Sequence, residues 1–185
     1  MTLRRLLPLC LALVMLCGAA LAQPVGNDTE EARIAHLTAL GDHYLTTQGY
    51  RFSYRENPHS FTFEVPADNT LPPSSVTINL SADLLMVSAF PSIFAAEENR
   101  VKMAKLITLI NWDSSWAHLY MDMDTGQIIS SADILTLSVY PGEEELHICV
   151  GMVGLLLETY GNAIVRVALL GEDPQAIFDA VPRPE

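Results

Sequence analysis

Cysteine is too scarce here to build a disulfide framework. Of three in the chain, Cys10 and Cys17 fall in the first 22 residues, which leaves Cys149 alone between Ile148 and Val150. A lone cysteine in an apolar run reads as a buried small hydrophobe. Basic residues are few as well: ten Lys and Arg stand against 22 Asp and Glu, a net charge of −12. A surface of that sign is repelled by phosphate backbones and by anionic lipid, so no nucleic-acid partner is expected. No glycine-rich phosphate loop occurs, and neither Ser114-Ser115 nor Ser130-Ser131 sits in a G-x-S-x-G turn. Beyond the N-terminus no charge-free apolar run reaches membrane-spanning length. The longest, Ile148 to Leu157, has ten residues and suits a buried helix. There is no internal repeat and no low-complexity segment.

The one long apolar run is at the start. Arg4 and Arg5 precede an apolar stretch from Leu6 to Cys17, and Ala20-Leu21-Ala22 supplies small residues on either side of Leu21. This order reads as a cleaved secretory signal peptide over 1–22, with no stable membrane anchor left after cleavage. Arg4-Arg5 lacks the longer twin-arginine consensus, and Leu16 before Cys17 does not suit lipid attachment. Removal of 1–22 takes away two arginines, so eight cations then face 22 acids, a charge of −14 on 163 residues. That length supports one domain with a real core. The expected compartment is the periplasm or the exterior.

After a flexible leader, 23–28, a helix is expected from Asp28 or Thr29, with Glu30 and Glu31 in its first turn and Gly49 at its stop. Ile34, Leu37, Leu40 and Tyr44 form its apolar stripe. Extended runs follow at Tyr50 to Arg55, Ser60 to Val65, Val76 to Leu80 and Leu84 to Phe90, with a loop over 67–75. A helix then runs from near Ala95 to Ile110, with Val101, Leu106 and Ile110 expected inward and Met103 or Ile107 nearby. A hairpin follows. Ala117, Leu119, Met121 and Met123 should share one face, and Trp116, His118, Tyr120, Asp122 and Asp124 the other. Its second strand is read as Gln127 to Ala132, while Ile134 to Val139 fits strand or loop equally. A long helix begins at Glu143-Glu144-Glu145, is apolar nearly all round from Leu146 to Thr159, and is loosened at Gly161. A short last helix, Gln175 to Val181, precedes the tail, 182–185.

Helix, strands, helix, hairpin, long helix is also the order of a known family. With Leu106-x-x-x-Ile110-Asn111 and Tyr120-x-Asp122-x-Asp124-x-Gly126-x-Ile128 in place, the stretch from Asp28 to Val181 resembles the YbjN-type proteins. Their fold is similar to that of the small, acidic, dimeric chaperones of type III secretion. The resemblance implies an α+β fold, a twisted and mostly antiparallel sheet packed by helices, in a single domain over 29–181. It also implies a habit of binding protein, and it brings no catalytic residues. Two features depart from it: the export signal, and the wholly apolar Gly151 to Leu157, where relatives often carry charge. The scaffold carries over; the chaperone activity does not.

Candidate chemistry is thin. Asp122-x-Asp124-x-Gly126 fails the calcium-loop template, because Gln127 and Asp133 stand where glycine and glutamate are required. It reads instead as a hairpin turn with Gly126 at positive φ and Asp124 accepting from the turn backbone. His118 and Asp122 would lie roughly 13 Å apart on a strand, too far for one metal. Cys149 and His147 point apart on a helix. No metal and no cofactor are expected. Trp112, Trp116, His118 and Tyr120 form the candidate protein-binding surface, as exposed aromatics do in binding hot spots; the alternative is that both faces of the hairpin are covered. The preferred function is a non-enzymatic, exported protein-binding module, regulatory or chaperone-like. An unrecognised periplasmic enzyme and a structural or envelope-stress accessory are the other readings. The long helix has more apolar surface than one sheet face covers. Either the first and last helices cover the rest or a second copy of the chain does, and the family favours a homodimer. N-terminal sequencing of exported protein should begin at Gln23; cytoplasmic protein with Met1 intact would overturn the export reading.

Overall fold

The computed structural model describes residues 23–24, 26, 28–66 and 73–182. The expected signal segment, parts of the leader and of the 67–75 loop, and residues 183–185 lie outside the described residues. Thr29 opens the first helix as its side chain allows: its hydroxyl accepts from the Ala32 N–H at 3.3 Å. Helix α1 (Glu30–Thr47) ends just before Gly49. Leu37, Tyr44 and Leu45 are its buried apolar residues, so the inward stripe sits slightly round from the expected one, with Ile34 and Leu40 only partly covered.

Ahead of α1, strand β1 (Gln23–Pro24) pairs antiparallel with β8 (Val139–Tyr140). The main sheet has six strands: β2 (Phe52–Glu56), β3 (His59–Val65), β4 (Ser74–Leu80), β5 (Leu84–Pro91), β6 (His118–Met121) and β7 (Ile128–Leu135). They lie in the order β2-β3-β4-β5-β7-β6, and every pairing is antiparallel. The α+β expectation is met. Strand boundaries moved by one to three residues; β7 runs three residues past Ala132, which places Ile134 in a strand. Along one row Phe61 faces Ile78, Ile78 faces Val87 and Val87 faces Ala132, all buried. The alternate row is polar: Thr62, Thr77, Ser88, Ser131 and His118 stand side by side. This sheet is apolar on one face only, and the helices cover that face.

A single 3-10 turn (Glu97–Asn99) leads into helix α2 (Arg100–Asp113). Met103, Leu106 and Ile110 are its fully buried residues, whereas Val101 is 78% exposed. Val101 was expected inward. It lies two residues before Met103, about 200° round the helix, so the two cannot share a face. Helix α3 (Glu143–Leu170) runs 28 residues without interruption. Gly161, expected to loosen it, is buried inside it. By length and composition α3 is a helix that could cross a membrane; here it lies on the sheet at β5 and β7, with α1 and α2 beside it. Helix α4 (Pro174–Asp179) is capped by Asp173, which accepts from the Ala176 N–H at 2.9 Å, and stops two residues short of the expected Val181.

Three contacts tie the layers together. Phe61 lies on α1 at Gly41, where a Cβ would come within 2.6 Å of its ring. Arg33 donates to Asp83 at 3.1 Å and to the carbonyls of Thr136 and Leu137, joining α1 to two sheet loops. Asn111, near the end of α2, treats Leu119 as a strand would. Its Oδ1 accepts from the Leu119 N–H at 2.8 Å, and its Nδ2 donates to the Leu119 carbonyl at 2.9 Å. One edge of the sheet is thereby occupied. Asn111→Ala should cost about 2 kcal/mol, two hydrogen bonds with the buried Leu119 backbone left wanting, read from urea unfolding. Asn111→Asp keeps the acceptor for the Leu119 N–H but sets a carboxylate oxygen against the Leu119 carbonyl, and should cost at least as much at neutral pH.

Candidate protein-binding face

The four candidate residues come from three places. Trp112 stands on the outer side of α2 and is 93% exposed; Trp116, in the bend that follows, is 73% exposed. Strict alternation does not reach back to Trp116, because β6 starts only at His118. Ser114 bends the chain before it: its N–H donates to the Ile110 carbonyl and its hydroxyl to the Ala117 carbonyl at 2.7 Å. Trp116 was expected on the face of His118 and Tyr120, and this is corrected. It borders a cleft of about 450 Å³ against Met152, Leu155, Leu156 and Tyr160 of α3. His118 and Tyr120 face the opposite side, because Leu119 between them is in the core. Met123, expected on the inward face, is exposed in the turn beyond β6.

On the other flank of α3 a second cleft, of about 470 Å³, is walled by Val65, Val76, Ala89, Val150, Gly154 and Leu157. Leu155 borders both clefts and is 53% exposed; Ile148, nearly two turns earlier, is also exposed. Gly151 and Gly154 lie along the same outer side. No other element lies within 4 Å of where their side chains would begin. The close approach that their size permits is therefore not made by the described residues of this chain. Of the two expected covers for the rest of α3, the first and last helices supply part. Helix α4 packs on it through Phe178 over Tyr160, with ring centroids 6.2 Å apart, and α1 through a Tyr44–His147 hydrogen bond of 3.2 Å, yet among the described residues one stripe stays open. Reading α3 as apolar all round could not identify that stripe, because the positions of its neighbours choose it.

No protein-family profile and no curated protein matches the sequence. Among solved structures, the crystal structure of YbjN from E. coli, described as that of a proposed transcription regulator, matches at a TM-score of 0.50 and 12% identity. It covers 65% of this chain and 85% of that one. The fold is YbjN-like. An uncharacterized protein from Methanothermobacter thermautotrophicus matches at a TM-score of 0.45 and 13% identity, over 64% of this chain and 90% of that one.

Within the YbjN-like fold the turn Asp122 to Gly126 is fully explained by backbone geometry. Gly126 has φ of 78°, and a Cβ there would meet the Ala95 carbonyl oxygen at 2.3 Å, so both conformation and space demand glycine. The acceptor is Asp122, not Asp124 as expected: its Oδ1 takes the N–H groups of Asp124 at 2.8 Å and Thr125 at 3.1 Å. An Asx turn closes from the residue that precedes the bend. Among the described residues no cluster of three His, Cys, Asp or Glu is placed to hold a metal. Of the second serine pair, Ser130 donates to the Val153 carbonyl of α3 and Ser131 to the Val87 carbonyl of β5. Cys149 is half-buried, and burial pushes its thiol above the ordinary range, with Asp133 and Glu145 adding to the shift. Burial also pushes the Tyr44 hydroxyl up to about 12.

Asp122 offers a direct check. The Thr125 and Asp124 N–H groups and the nearby Arg100 charge hold its carboxyl below the ordinary 3.8. A carboxyl depressed on folding stabilises the folded chain above the unfolded pKa, and that contribution is lost as pH falls through the lower folded value. The Asp122 carboxyl carbon should therefore titrate below 3.8 by NMR. Asp122→Asn keeps an acceptor oxygen in the turn and should remove that acid-side component of stability. An ordinary midpoint for Asp122 would contradict the turn geometry.

Proposed function

We propose that this chain is an exported, non-enzymatic protein-binding module of YbjN type that docks protein on the outer stripe of α3, and that its first occupant is a second copy of itself. The observation that carries this reading is Leu155, a half-exposed leucine on a ridge between two apolar clefts, with the exposed indole of Trp116 beside one of them. A large apolar side chain left in water forgoes roughly 1.5–3 kcal/mol relative to burial. An aromatic anchor next to a preformed cleft is how binding hot spots are built. A two-fold pairing would set the same stripe against itself, and Gly151 and Gly154 would let the two backbones approach. Export rests on the N-terminal pattern, and the regulatory or chaperone-like role on the YbjN-like scaffold. A net charge of −12 favours protein over DNA as the partner.

Light scattering of the exported form at micromolar concentration should give twice the single-chain mass. Leu155→Glu should restore the single-chain mass with the folded circular-dichroism spectrum intact, since that side chain is 53% exposed and outside the core, and should make the melting temperature independent of protein concentration. A wild-type protein with the mass of one chain ends the homodimer reading. Capture from periplasmic extract by wild type and not by Leu155→Glu would then show the stripe serving another protein; equal capture by both would remove α3 from the function.

A further inference from the structure

The two edges of the main sheet are unequal. At β6 the Leu119 backbone is occupied by the Asn111 side chain. Among the described residues β2 is paired on one side, with β3, and every second residue of an antiparallel edge strand turns its N–H and C=O away from its neighbour. Beside that free edge, between α1 and the β2–β3 hairpin, runs a groove of about 630 Å³. Ile34, Ala35, Ala39 and Phe61 give it an apolar lining, and Glu31, Asp42 and Glu56 supply carboxylates. Phe52, Tyr54 and Glu56 turn to this side of the sheet, as their partners Phe63, Phe61 and His59 show. The Tyr54 hydroxyl is set by His59 Nδ1 at 2.8 Å.

We propose that β2 and this groove bind an extended basic peptide segment of another protein, which adds as a further strand and directs its alternate side chains into the groove. Strand addition supplies main-chain hydrogen bonds, and the groove supplies selection: valine-sized groups on the lining and Lys or Arg towards the three carboxylates. Charge decides the occupant. A second copy joined edge to edge would bring two acidic rims together, and the overall charge of −12 repels acidic partners. This site is separate from the α3 stripe and holds whether or not the chain dimerises.

The probe is the capped peptide Lys-Thr-Val-Thr-Val-Thr-Lys, with its glutamate twin and a version carrying proline in place of the central threonine and of the valine before it, so that one lost N–H faces β2 in either register, titrated into nitrogen-15-labelled protein. The lysine peptide should shift amides of β2 and α1 and bind at least about tenfold more tightly than the glutamate twin, with the gap narrowing in high salt. The proline version keeps the charge but loses a strand donor, and should bind more weakly than its parent. Asp42→Lys with Glu56→Lys, both exposed and outside the core, should reverse the ranking of the lysine and glutamate peptides. Equal binding of those two, undiminished binding of the proline version, shifts confined to α3, or no shift at millimolar peptide would each overturn the proposal.

Discussion

Helix α3 carries more apolar surface than one sheet face can cover, and the rest of the structure is arranged around that excess. The sheet takes the stripe through Val153, Leu157 and Ile164; helices α1, α2 and α4 take much of what remains. Each of these helices presents one buried stripe, so each can cover one flank and no more. Ile148, Met152 and Leu155 are left over along its first half, and Leu169 and Leu170 at its end. The exposed stripe, the two clefts beside it and the glycines that no described residue approaches all follow from one mismatch between a 28-residue helix and the shorter elements around it.

An antiparallel sheet with one apolar face has a second problem, its two edges. Backbone groups at an edge must be hydrogen-bonded, wetted or offered to another chain. Asn111 answers this for β6 with a side-chain amide of the right reach, presented from the end of α2. At β2 the exposed Arg55 and Glu56 keep the edge charged, while the groove beside it stays acidic. The asymmetry comes from the connection α2–β6, which keeps a helix end within reach of one outer strand only.

Much of the architecture was legible in local chemistry. Thr29 caps a helix because its hydroxyl reaches the third N–H beyond it. Phe61 and Phe63 alternate with Thr62 and Glu64 because one face of β3 is wet. Asp122 and Gly126 fold a turn because one accepts from the backbone and the other tolerates positive φ. Misreadings arose where a local period ran past the end of its element. Val101 belongs to the first turn of α2 but not to its stripe, and Trp116 precedes β6 rather than extending it. Asp124 lost the turn to Asp122 because both are aspartates and only the position in the bend separates them.

The sequence by itself determined the order of the main helices and strands, the acidic charge and the faces of residues inside each strand, since these depend on residue spacing and composition within a few neighbours. Tertiary structure alone decided which stripe of α3 stays open, that Trp116 joins it while Tyr120 faces away, and that β2 rather than β6 is the free edge. Those outcomes depend on residues far apart in the chain, Trp116 and Leu155 on the walls of one cleft and Asn111 bonded to the Leu119 backbone, and no local period records them.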